Sequence, residues 1–209
     1  MIKVLIADDH TIVRQGLKQI LNLDPQIEVS FEAKDGNEVL EFLRGATVDV
    51  VVLDITMPGR NGLETLKDIK RLYPATAVII LSMHPKDQYA VRVLKAGASG
   101  YITKESATEE LVDAIMKAYR GEKYIGAEVA ELLADYVGHR APDEPHKLLS
   151  DREFEVLRLI ASGKGITQIA NELNLSVKTV STYRTRIVEK TGLTSNSDIT
   201  RYSIENQLV

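Results

Sequence analysis

Short, β-branched apolar runs alternate with stretches of helical period along the first 120 residues. Lys3–Ala7, Glu28–Ala33, Val48–Leu53, Ala77–Ser82 and Gly100–Thr103 read as strands. Between them, apolar residues fall at helical spacing. Ile12, Val13, Leu17, Ile20 and Leu21 make one stripe, Val39, Leu40 and Leu43 a second, and Leu63, Leu66 and Ile69 a third. Ala90, Val91, Val93 and Leu94 make a fourth, and Leu111, Ile115 and Ala118 a fifth. Five strands, each followed by a helix, predict an α/β fold: a doubly wound, five-stranded parallel sheet covered on both faces. With strand order 2-1-3-4-5, a ligand would sit where the first and third strands adjoin.

The pattern changes after Lys123. Ala127–Val137 reads as a further helix carrying Val129, Leu132, Leu133 and Tyr136. Residues 138–145, with two prolines, a glycine and no apolar period, read as a linker. The expected organisation is residues 1–122 as one domain, 123–147 as linker helix and flexible linker, and 148–209 as a second domain without strands. Ser150 and Glu153 form a capping box that opens a helix running to about Ser162 and stopping at Gly163. A short helix, Thr167–Leu173, precedes the tight turn Asn174-Leu175-Ser176. Ser176 caps a longer helix through Lys190, ended by Gly192, and Ser197 starts the last, with Ile199, Tyr202, Ile204 and Leu208. Four helices with a short turn between the second and third predict an all-α helix-turn-helix bundle.

Composition narrows the class. At 209 residues and 44 % hydrophobic content, the chain can build two real cores. It has no cysteine, which excludes disulfides, thiol nucleophiles and Cys-ligated zinc. The amino terminus enters a strand at once and no apolar run reaches membrane-spanning length, so a soluble, cytoplasmic protein is expected. Residues 1–146 hold 17 Lys+Arg and 23 Asp+Glu, net −6, and residues 147–209 hold 9 and 7, net +2. That asymmetry permits a nucleic-acid partner for the second domain without demanding one.

The strand ends carry the chemistry. Asp8 and Asp9 follow the first strand and Asp54 follows the third, so three carboxylates should meet at one sheet edge. Such a cluster repels itself unless a hard divalent cation sits in it, and oxygen ligands suit Mg²⁺. Pro58 and Gly59 force a tight loop that should leave the Asp54 carboxylate exposed. Ser82 ends the fourth strand and Lys104 follows the fifth. A carboxylate nucleophile, a metal pair, a hydroxyl and an ammonium on one edge are the equipment for phosphoryl transfer to a carboxylate, with Ser82 and Lys104 binding phosphoryl oxygens. A lone Asp at a strand end is ordinarily a cap; here several strand ends agree.

Asp8-Asp9, Asp54-x-x-Met57-Pro58, Ser82 and Tyr101-x-x-Lys104 together resemble the receiver domain of bacterial response regulators, over about residues 1–120. The resemblance implies a flavodoxin-like sheet and Asp54 as phosphoacceptor. It implies Asp9, Asp54 and the Thr56 carbonyl as direct Mg²⁺ ligands, with Asp8 acting through water. Ser82 and Lys104 match the phosphoryl-sensing pair, and Tyr101 the aromatic whose rotamer couples to the Ser82 switch. His84 falls where the family tunes phosphoryl lifetime. His10 reads as a helix-start residue.

In the second domain, Leu149-Ser150-Asp151-Arg152-Glu153-x-Glu155-Val156-Leu157, Ile160-Ala161-x-Gly163, Ile169-Ala170, Leu173, Ser176-x-Lys178-Thr179-Val180 and Lys190-x-Gly192-Leu193 resemble the LuxR-type helix-turn-helix. With a receiver in front, the chain resembles the NarL/FixJ family of transcriptional regulators. The family implies a cognate sensor histidine kinase, double-stranded DNA, a homodimer when phosphorylated or DNA-bound, and no catalysis beyond the chain's own aspartyl phosphorylation and dephosphorylation. On the recognition helix, Val180 and Ile187 should face the core, with Val177 and Val188 flanking. Ser181, Thr182 and Thr185 then lie outward, small enough to approach base edges. Lys178, Thr179, Tyr183, Arg186 and Lys190 are better placed for phosphates, and Arg184 suits either task. Tyr183 stands where the family often has His, Gln168 replaces the usual Glu, and Gly165 is unusual so near a helix start. Two other classes compete: a Mg²⁺-dependent phosphohydrolase using Asp54 or Asp8, and a DNA-binding regulator that never uses phosphate. Asp8-Asp9-His10-Thr11 lacks the Asp-x-Asp of haloacid-dehalogenase-type phosphatases. The acidic pair with Asp54 and Lys104 disfavours the other.

Overall fold

A computed structural model describes residues 1–82, 88–126, 129–131, 145–206 and 208–209. The chain divides into two compact units, Met1–Val137 and Gly138–Val209. His84, the predicted helix Ala127–Val137 apart from residues 129–131, and the linker up to residue 144 lie outside the described residues. Among the described residues, no helix is long and apolar enough to cross a membrane.

The first unit runs β1 (Ile2–Ala7), α1 (Thr11–Leu21), β2 (Ile27–Ala33), α2 (Gly36–Gly45), β3 (Val50–Asp54), α3 (Gly62–Leu72), β4 (Ala77–Ser82), α4 (Gln88–Lys95), β5 (Gly100–Thr103), α5 (Ala107–Tyr119) and β6 (Tyr124–Ile125). All strands pair in parallel, in the order β2-β1-β3-β4-β5-β6. The doubly wound order expected from the sequence is present, with a sixth strand added at the β5 edge. Every residue of β3 and β4 is buried, which explains why both read as unbroken apolar runs rather than alternating ones. Val4, Ile6, Val50, Val52, Ile79 and Leu81 face Leu17, Leu21, Leu111 and Ile115 in one core. The intervening Leu5, Val51, Leu53 and Ile80 point to the opposite face and are equally buried. Amphipathic helices on both faces thus enclose the sheet and leave its carboxyl edge as the place where polar groups collect.

The second unit opens with a 3₁₀ turn, Pro145–Leu148, followed by α6 (Asp151–Ala161), α7 (Ile166–Glu172), α8 (Val177–Thr191) and α9 (Asn196–Glu205). Phe154, Val156, Leu157, Ile169, Ala170, Val180, Ile187 and Ile199 are its fully buried core. The Ser150–Glu153 capping box is present: Ser150 N–H donates to Glu153 Oε2 at 2.8 Å and Glu153 N–H donates back to Ser150 Oγ at 3.4 Å. Gly165 and Gln168 explain one another, because the Gln168 amide oxygen accepts from the Gly165 N–H at 2.8 Å and closes the start of α7. The last helix starts earlier than expected. Ser195, not Ser197, is its cap, since Asp198 lies at the third helical position and exchanges hydrogen bonds with it. Leu208 lies beyond that helix and is buried. Ile199 closes the core and the Tyr202 hydroxyl meets His146 Nδ1 at 2.7 Å, whereas Ile204 is 62 % exposed.

Candidate acidic site and recognition helix

Pairing of β1 with β3 sets Ala7 opposite Leu53, so the residues that follow, Asp8 and Asp9, come beside Asp54. The loop after β3 folds back at once. Gly59 adopts a left-handed φ of 71°. Gly62 N–H donates to the Ile55 carbonyl at 3.0 Å, and Gly62 lies so close to the Asp54 carbonyl that no Cβ would fit there.

The exposed carboxylate expected at Asp54 is not what forms. Asp54 is 2 % exposed and Asp8 fully buried. The cover comes from β5: Lys104 Nζ lies 2.6 Å from Asp8 Oδ2 and 2.9 Å from Asp54 Oδ2. Its backbone N–H donates to the Ser82 carbonyl at 2.7 Å, fixing the lysine at the ends of β4 and β5. Asp54 Oδ1 accepts from the Thr56 N–H at 3.2 Å. Ser82 and Tyr101 are each 1 % exposed, so both side chains lie inside the fold.

Burial, and then the negative charge of Asp8, push the Asp54 carboxyl up to about 6, against the opposing pull of Lys104 and the Thr56 N–H. The carboxyl is therefore still ionised at neutral pH. Burial pulls Lys104 down, but the charges and hydrogen bonds of Asp54 and Asp8 outweigh it and its ammonium titrates above the ordinary lysine range.

His10 joins this cluster. It occupies the cap position of α1 without capping through its side chain. Its Nδ1 instead lies 2.8 Å from Asp9 Oδ1 and 3.3 Å from Asp8 Oδ1. Reading His10 as a helix-start residue gave its backbone place and missed the ring; its position two residues past Asp8 was the available signal. One ligand atom from each of Asp8, Asp9, His10 and Asp54 falls within 4.8 Å of the others. Asp8 Oδ2 and Asp9 Oδ1 are buried carboxylate oxygens whose near neighbours are the Lys104 ammonium at 2.6 Å and the His10 ring at 2.8 Å. Buried oxygens in a mainly carboxylate set fit a small hard cation.

The structure separates the candidate DNA contacts into two groups. Ser176 caps α8 through the Thr179 N–H at 3.0 Å, and Val180 and Ile187 are buried, as the spacing predicts. Val177, expected to flank the core, is 48 % exposed. Lys178, Ser181, Thr182, Thr185 and Arg186 face solvent, while Thr179, Tyr183 and Arg184 are half-buried. The Thr182 and Thr185 hydroxyls donate to the carbonyls of Lys178 and Ser181 at 2.9 and 3.2 Å. Their protons are thereby directed into the helix, and lone pairs and methyl groups are what they present outward. Arg184 Nε donates to Asn196 Oδ1 at 3.1 Å, tying α8 to the start of α9. Lys190 differs from its expected phosphate role. Its Nζ lies 2.6 Å from Glu153 Oε2, a carboxylate only 3 % exposed. Burial raises Glu153, but Lys190 and Ser150 together hold it below the usual carboxylate range.

Comparison with known proteins agrees with both halves of this geometry. Residues 4–116 match the response regulator receiver domain, and residues 147–203 match the bacterial regulatory proteins of the luxR family. The chain is 37 % identical over 214 residues to the oxygen regulatory protein NreC of Staphylococcus haemolyticus, covering 99 % of each chain. It is 35 % identical over 209 residues to the response regulator UvrY of Escherichia coli K12, covering 100 % of this chain and 96 % of the relative. This chain is a NarL/FixJ-family response regulator. The family match sets aside the phosphohydrolase alternative: the receiver is joined to a LuxR-type DNA-binding domain, and the protein is a transcription regulator rather than an enzyme. Among solved structures, this NarL/FixJ chain is similar to RcsB of Salmonella enterica serovar Typhimurium, bound to promoter rprA in the presence of the phosphomimetic BeF3⁻. The TM-score is 0.65 at 30 % identity, covering 96 % of this chain and 97 % of RcsB.

Proposed function

We propose that a cognate sensor histidine kinase phosphorylates Asp54 and that the modification controls DNA binding by the second unit, residues 148–209, with residues 1–122 as the phosphoacceptor domain and 123–147 as the connection. One observation carries this reading: the Asp54 carboxyl group is buried between Asp8, just past β1, and the ammonium of Lys104. Asp8, Asp9, Asp54 and the Thr56 carbonyl would hold Mg²⁺, which when bound neutralises charge between the carboxylates and the incoming phosphoryl group. His10, beside Asp9, completes the wall of that site. Attack by an Asp54 carboxylate oxygen on phosphorus forms the acyl phosphate and expels the donor's imidazole or, from acetyl phosphate, acetate. Lys104 then exchanges a carboxylate partner for a phosphoryl oxygen, and Ser82 at the end of β4 supplies a hydroxyl to the same group. Tyr101, packed beside Ser82's strand, follows that movement.

In the second unit, Lys178, Thr179, Tyr183 and Arg186 hold DNA phosphates, while Ser181, Thr182 and Thr185 meet base edges, with Arg184 between the two tasks. Lys190 positions α8 by neutralising Glu153 and stands at the margin of the phosphate track. RcsB has been solved as dimers bound to DNA, which supports a homodimer here. The protein acts in the cytoplasm, where its DNA lies. Intact mass after incubation with acetyl phosphate and Mg²⁺ tests the reading. One phosphoryl group should be gained by the wild type and none by Asp54→Ala; uptake by the variant would refute it.

A further inference from the structure

β6 is only two residues long, and so short an edge strand has little stability of its own. Several independent contacts nevertheless hold it between β5 and α5. The Tyr124 N–H donates to the Ser99 carbonyl at 2.8 Å. The Tyr124 hydroxyl donates to Glu110 Oε2 at 3.0 Å, and the Lys117 ammonium stands 5.2 Å from the centre of its ring. The Lys123 ammonium is bonded to the Ala98 carbonyl. Gly100 adds a steric argument. Its φ is outside the left-handed region, so its backbone does not demand glycine. A Cβ there would stand 3.1 Å from the Tyr124 carbonyl oxygen and 3.2 Å from the Tyr124 Cβ, tight enough that a larger residue would press β6 outward by a few tenths of an ångström.

β5 joins this strand to the acidic site. Just past its carboxyl end, Lys104 touches Asp8 and Asp54. Toward its amino end, Gly100 pairs with Tyr124, and Tyr101 pairs with Ile125. The chain that leaves β6 is the one that continues to the DNA-binding unit.

We propose that β6 is the output connection of the receiver: its pairing with β5 passes the state of Asp54 to the chain leading to the DNA-binding unit. This rests on the Asp54 reading above. A phosphoryl group on Asp54 obliges Lys104 to redistribute its contacts. Lys104 follows β5 directly and its backbone N–H is bonded to the Ser82 carbonyl, so a change in what its ammonium holds is felt at the ends of both strands. A strand is stiff along its length, and β6 is registered on the residue that responds, Tyr101. Release of β6 from β5 on phosphorylation would give this element the second arrangement that coupling between distant sites requires.

The test uses the full chain as wild type, Tyr124→Ala and Gly100→Ala. Each is measured before and after acetyl phosphate and Mg²⁺ on one duplex selected from random sequence with the phosphorylated wild type. Intact mass on the same samples reports phosphate uptake, so failure of the Asp54 reading shows there and failure of the connection shows in DNA binding. Expected are equal uptake in all three proteins, faster hydrogen exchange at the Tyr124 amide in both variants, and an affinity gain of about fivefold or more in the wild type that falls below about twofold in the variants. Variants with an unprotected Tyr124 amide that keep the full affinity gain overturn the proposal.

Discussion

Asp54 ionises at a cost, and that cost sets a pH signature. Its carboxyl titrates near 6 in the folded chain against an ordinary 3.8, so the folded state holds the proton more tightly than the unfolded one. Stability should therefore fall as pH rises through that window and level off above it. Asp54→Asn removes the titrating carboxyl group. In Mg²⁺-free buffer the variant should match the wild type near pH 4 and exceed it at pH 7 by about 2–3 kcal/mol. Urea titrations across pH measure this directly, and Mg²⁺ should narrow the gap at neutral pH. A pH-independent difference would show that burial and Asp8 do not strain this carboxylate. Lys104→Ala removes the group proposed to read the phosphoryl oxygens. It should accept phosphate at Asp54 yet lose the accompanying gain in DNA affinity, as paired mass and binding measurements would show.

At the scale of elements, α8 should sort its residues by what they touch. Lys178→Ala and Arg186→Ala should weaken all duplexes alike and lower the salt slope by about one unit each. Thr182→Ala and Thr185→Ala should change preference at one or two base pairs by roughly 1–3 kcal/mol and leave scrambled duplexes nearly unaffected. Equal losses on both duplexes would remove the threonines as readers. Lys190→Ala should behave differently from either group, because it leaves the buried Glu153 carboxylate without its ammonium partner. A loss of about 1–2 kcal/mol in the stability of the second unit is expected at pH 7. Glu153 titrates below its ordinary range, so the contribution is present at neutral pH and is lost as pH falls through the acid range. Unchanged thermal stability with a reduced salt slope would instead return Lys190 to the phosphate contacts.

Across the whole molecule, what could be read from sequence follows the range of the interaction. The strands, the sheet order and the meeting of Asp8, Asp9 and Asp54 are consequences of local period and of where parallel strands end. The burial of Asp54 was not legible, because its cover, Lys104, comes from 50 residues away. The Lys190–Glu153 pair spans 37 residues and was hidden for the same reason. β6 is too short to show a period in the sequence. Ser195 and Ser197 are both reasonable caps; the choice falls to Asp198, which is correctly spaced from Ser195 alone. Ile199, Tyr202 and Ile204 of the last helix could serve a dimer or close the core. Ile199 is buried in the core and Tyr202 is bonded to His146, which leaves Ile204 as the exposed apolar residue of the three. Ile204→Lys should leave folding intact and reduce two-chain occupancy of a DNA site, as read by sedimentation of the phosphorylated chain with its duplex. Undiminished two-to-one stoichiometry would place the dimer contact elsewhere.

The decisive measurement is the affinity of the full chain for one selected duplex, at fixed salt, before and after acetyl phosphate and Mg²⁺, in the wild type and in Asp54→Ala. If phosphorylation of Asp54 governs DNA binding, the wild type gains affinity by about fivefold or more and the variant shows no change. An equal gain in both proteins, or none in a wild type shown by mass to carry the phosphoryl group, would contradict it.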